Sequence, residues 1–191
     1  MIPLAVAVKI FLVIAAAAVA LLVASCDVEF RWWTATGDSN VPAAQEVNKV
    51  IDAAYRDSLD ETLSNLYHTI NRADKGTRQG ASIIDHEVPG LAARIDGLIP
   101  AAGQRVAAVE VETPVGQQFR SVVLRGLVRQ RLLYRTFAAD LARKRPAWKA
   151  FDRWAASFNA LHRWYVVQFR SILAAAAFED RAPVEAALRR Y

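Results

Sequence analysis

Beyond residue 42, apolar side chains recur every three or four positions along most of the chain, the period of a helix that buries one face. From Ala43 to Lys75 they fall at Ile51, Tyr55, Leu59, Leu63, Leu66, Ile70 and Ala73. That spacing predicts one long helix, with Pro42 in its first turn and Gly76 and Gly80 marking its end. Over 33 residues it would extend about 50 Å. The stretch Ala81 to Glu112 is cut by Pro89-Gly90 and Pro100 and reads as helix, kink, helix, with Val106 to Glu112 compatible with either helix or strand. Thr113-Pro114 supplies an N-cap and a first-turn proline for a second long helix running to about Arg145. Its main apolar face carries Phe119, Val123, Leu127, Tyr134, Phe137 and Leu141. Pro146 interrupts, and a third long helix follows with the widest and most aromatic face, from Trp148 and Trp154 through Phe158, Tyr165 and Phe169 to Leu173. This helix is expected to be the main contributor to the core. Arg153, Arg163 and Arg170 recur on its other side, so it is not a membrane span. Asp180 to Pro183 breaks it, and Val184 to Arg190 closes the chain as a short helix.

The fold class that follows is all-α, an elongated antiparallel bundle of three long helices and a broken fourth over residues 43–191. A domain of that length buries most of its surface in one core and needs no disulfide or metal to hold it.

The start of the chain has a different pattern. Met1 to Lys9 carries one positive charge, Ile10 to Val23 is an uncharged apolar run of 14 residues, and Val23-Ala24-Ser25-Cys26 ends in the only cysteine. This order resembles a bacterial lipoprotein signal, with Val23 in the aliphatic position of the lipobox where Leu is commoner. The resemblance implies that Cys26 takes a thioether-linked diacylglycerol, that residues 1–25 are removed, and that the mature chain spans Cys26 to Tyr191. It implies nothing about the helical fold. The competing reading is an uncleaved anchor, which needs about 20 consecutive apolar residues. Leu4 to Ser25 supplies 22 only with Lys9 counted inside, and 16 without it. Asp27 after the cysteine resembles an inner-membrane retention signal. Residues 26–42 then form a lipidated cysteine and tether, DVEFRWWTATGDSNVP from Asp27 onward, reaching roughly 50 Å when extended. Trp32 and Trp33 suit a membrane interface or a packing site on the domain.

Charge changes the picture further along. Met1 to Thr113 holds 9 basic and 14 acidic residues, Pro114 to Tyr191 holds 15 basic and 5 acidic, giving −5 and +10. A basic half with interleaved Trp and Tyr suits nucleic acid, but a chain exported to the envelope does not meet it. The remaining readings are an acidic first helix lying on the basic second one, and attraction to anionic lipid headgroups.

The residues offer little chemistry. No phosphate-binding glycine loop, His-Glu-x-x-His, haem-attachment motif or Gly-x-Ser-x-Gly elbow is present. Asp85, His86 and Glu87 are adjacent in sequence, so on a helix they diverge by about 100° per residue and do not converge on a metal. His68 reads as solvated. His162, between Phe158 and Tyr165 on the aromatic face, reads as a core histidine with no carboxylate at helical spacing. The expectation is a non-enzymatic chain with no cofactor and no metal.

Two candidate surfaces remain. On the second long helix Leu124, Val128 and Leu132 gather opposite the main apolar face, flanked by Arg125, Arg129, Arg131 and Arg135. They are covered either by Ala81 to Glu112, acidic at Asp85, Glu87, Glu110 and Glu112, or by a partner protein or second copy. On the third, Trp154, Phe158, His162, Tyr165 and Phe169 could line a cavity for an apolar ligand such as a lipid. The first function expected is a scaffold or partner-binding lipoprotein on the outer face of the cytoplasmic membrane or in the periplasm. The second is an apolar-ligand carrier.

Overall fold

Residues 41–56, 58–143 and 146–191 are described by a computed structural model; the signal-like segment, Cys26 and the tether before Val41 lie outside them. Among the described residues the chain is all-α, with no strand. Helix α1 spans Pro42–Tyr55, α2 Ser58–Arg72, α3 Arg78–His86, α4 Val88–Ala107, α5 Pro114–Ala142 and α6 Ala147–Ala175. A 3-10 turn, Phe178–Asp180, leads into α7, Arg181–Leu188. No described helix is long and apolar enough to cross a membrane.

The first long helix expected from the sequence is two helices. Arg56 takes an extended conformation after α1 (φ −58°, ψ 146°), and α2 begins at Ser58. A residue far along the chain binds the carbonyls at this break. Arg105 of α4 donates from Nε to the Ala53 carbonyl at 3.0 Å and from Nη2 to the Arg56 carbonyl at 3.3 Å, satisfying acceptors that a helix end leaves without an intrahelical donor. After α2 the chain turns at Gly76, whose φ of +88° lies in the left-handed region that glycine adopts at least cost. Gly80, expected at the end of the first helix, belongs to α3, and Thr77 caps that helix by accepting from the Gly80 N–H at 2.9 Å.

The broken segment is less broken than its prolines suggest. After α3, Pro89 sits in the first turn of α4, which runs 20 residues through Pro100. Pro100 lies on the exposed side, where the carbonyl it leaves unpaired can be hydrated. Residues 109–112 are irregular.

Helix α5 packs against α1, α4 and α6, whereas α6 packs chiefly against α5, with smaller contacts to α3 and α7. This arrangement corrects the expectation that the aromatic helix dominates the core. Helix α5 buries Phe119, Val122, Val123, Leu127, Tyr134 and Phe137 among others, while α6 buries only Leu161, Tyr165, Ile172 and two alanines. A helix with neighbours on three sides buries most of its circumference; one at the margin leaves half of it open.

Candidate partner-binding face

The position of α5 is fixed at its first turn. Thr113, the N-cap, accepts from the Gly116 N–H at 3.0 Å. Glu46 of α1 reaches the same turn, accepting from the Glu112 N–H at 2.8 Å, from the Thr113 N–H at 3.1 Å and from the Thr113 hydroxyl. A carboxylate at this end is favoured by the unpaired N–H groups and the helix dipole. Burial pushes the Glu46 carboxyl up, but the Thr113 hydroxyl, the two backbone donors and the nearby charge of Lys49 together hold it below its ordinary value of 4.5. Gly116 has no side chain because a Cβ there would overlap Glu46.

Lower on α5, Gly126 admits the ring of Tyr165 for the same reason: a Cβ would overlap its hydroxyl. Tyr165 belongs to a packed aromatic cluster centred on Tyr191. The Tyr191 ring lies 4.8 Å from Tyr165, 5.3 Å from Phe169, 5.4 Å from Tyr55 and 5.9 Å from Phe119 between centroids. Its hydroxyl donates to the Tyr165 oxygen at 2.5 Å. Burial pushes the phenols of Tyr55, Tyr165 and Tyr191 above their ordinary value of 10.0, so all three are neutral at physiological pH. Arg190 binds Asp52 at 3.1 Å and also the Asn48 side chain, tying the segment before Tyr191 to α1. The sequence reading missed this cluster.

Further along the same seam a groove of about 350 Å³ runs between α5 and α6. Leu132, Thr136 and Phe137 line it from α5, and Trp154, Ser157 and Leu161 from α6. Trp154 stacks between Phe137 at 5.3 Å and Phe158 at 5.4 Å. Its indole N–H is buried with no hydrogen-bond partner among the described residues. Asp140, in the groove wall, is 4% exposed; Arg153 binds it at 2.7 Å, as a buried carboxylate requires.

Val128 is 70% and Leu132 66% exposed, and Leu124 is half-buried. The acidic stretch Ala81 to Glu112 does not cover them. Its Asp96 reaches the edge of the stripe, where it binds Arg131 at 2.9 Å and Arg135 at 3.5 Å. Of its four named carboxylates, Glu87 instead pairs with Arg72 at 2.6 Å. On the opposite edge Arg129 lies over the Trp164 ring at 4.6 Å, and Arg125 is exposed.

The five residues considered for an apolar cavity do not converge. Trp154 lines the groove, and Phe158 stacks at its edge with 36% exposure. Tyr165 and Phe169 belong to the Tyr191 cluster. His162 is exposed, not the core histidine expected, because among the described residues no helix packs on that part of α6 from the side facing away from α5. Among the described residues no group of His, Cys, Asp or Glu is arranged to hold a metal.

The chain matches no protein-family model, no characterised protein and no solved structure.

Proposed function

We propose that this chain is a lipid-anchored envelope protein whose helices form an antiparallel bundle and serve as a non-enzymatic, partner-binding module. The observation that carries the reading is the bare stripe on α5, where Val128 and Leu132 remain more than 60% exposed beside a groove and a row of arginines. Water-exposed aliphatic side chains grouped on one face are favourable only when something covers them. The filled Tyr165–Phe169–Tyr191 cluster supports this over a carrier, since the rings that would line a ligand cavity pack on one another instead.

Leu132→Asp is the direct test. With the side chain two-thirds exposed, the variant is expected to change stability by no more than about 0.5 kcal/mol and to lose the proteins that co-purify with the wild-type chain. An unfolded variant, or one that retains every partner, refutes the reading. The anchor is tested separately. The match of Val23-Ala24-Ser25-Cys26 to the lipobox predicts that mass spectrometry of the membrane fraction finds a mature chain beginning at acylated Cys26, and that Cys26→Ala accumulates as precursor. A mature chain starting at Met1, or an unmodified Cys26, excludes lipidation.

A further inference from the structure

Building on the partner-binding reading, we propose that the groove between α5 and α6 docks an acidic amphipathic helix of another protein. Leu132 lines the α5 side, with Val128 exposed one helical turn before it, and Trp154 and Leu161 line the α6 side. A volume of about 350 Å³ takes the aliphatic side chains that a docking helix inserts at every third or fourth position.

Charge chooses the occupant. Helices α5 and α6 together hold nine basic residues and two carboxylates, a net +7. Both carboxylates are already engaged, Asp140 by Arg153 and Asp152 by Lys75. Arg125 and Arg129 are left exposed beside the apolar stripe, and guanidinium groups pair with carboxylates through two parallel hydrogen bonds. A second copy docking through this face would set the same positive field against itself, which costs several kcal/mol in such juxtapositions. A bilayer is flat, whereas the lining here is a recess between two helices, a shape that receives a rod. The partner segment is therefore rich in Asp and Glu on the flanks of an aliphatic stripe, the complement of what α5 presents.

The test uses the full-length chain in its native cells with a photo-crosslinking amino acid at Thr136 or Ser157, both exposed residues that line the groove and leave the aliphatic anchors intact. The adduct is digested and sequenced by mass spectrometry. The expected product is a segment of one other protein in which Asp and Glu outnumber Lys and Arg and apolar residues recur every three or four positions. Arg125→Glu should lower the adduct yield severalfold at an unchanged melting temperature. An adduct to lipid, to a second copy of the chain or to a segment without acidic excess overturns the proposal, as does the absence of any adduct. The same crosslinker at Asn65 and Gln104, exposed on α2 and α4, separates the two levels. Protein adducts there but not in the groove leave a partner-binding module with its site elsewhere; none at any position removes both readings.

Discussion

Phe119→Ala should destabilise the helical domain by about 4 kcal/mol, within the range for truncating a fully enclosed aromatic side chain. Phe119 has no exposed surface. Its ring packs on Phe169 at 5.8 Å and on Tyr191 at 5.9 Å, so the cavity left by its removal lies where α1, α5, α6 and the segment after α7 meet. The rings around that cavity cannot collapse into it easily, because the Tyr191–Tyr165 hydrogen bond and the Gly126 contact fix two of them. Phe158→Ala provides the contrast. With 36% of its surface exposed and one stacking partner, it should lose only about 1 to 2 kcal/mol, in proportion to the smaller area it hides. Urea denaturation of both variants measures the two values. Equal losses would mean that the Tyr191 cluster is not the core.

That contrast also marks how far the sequence could be read. The start of α5 was legible because its determinants are local: Thr113 is a good cap and Pro114 fits only a first turn. The same is true of Pro146, which separates α5 from α6, and of the stripe at Val128 and Leu132, which periodicity alone placed opposite the buried face. What the pattern could not supply was the number of neighbours each helix has. The aromatic stripe of α6 looks continuous from Trp154 to Phe169, yet its first half borders an open groove and its second half lies under Tyr191. The break at Arg56 was hidden for a related reason. No local breaker marks it, and its carbonyl partner, Arg105, is 49 positions away. Tyr191, one aromatic beyond a short helix and two arginines, carries no periodic signal at all.

The second large effect is expected at Glu46, the residue through which α1 holds the first turn of α5. Glu46→Ala should cost about 3 kcal/mol, since hydrogen bonds to a charged group contribute about 1.5 to 3 kcal/mol and their loss leaves part-buried donors without acceptors. In this case those donors are the Glu112 and Thr113 N–H groups and the Thr113 hydroxyl. Glu46→Gln preserves the shape but turns an amide NH2 toward one set of donors, and should cost about 2 kcal/mol. The dependence on pH distinguishes lost charge from lost packing. Because the folded protein holds this carboxyl below its ordinary value of 4.5, its ionisation stabilises the fold above that pH, and the contribution is lost as pH falls through the lower folded value. The stability gap between wild type and Glu46→Gln should therefore be full at pH 7 and narrow progressively below about pH 4.5. Denaturation curves at pH 7, 5, 4 and 3 follow it. A gap that stays constant down to pH 3 would mean that Glu46 holds α5 by packing, with no contribution from its charge.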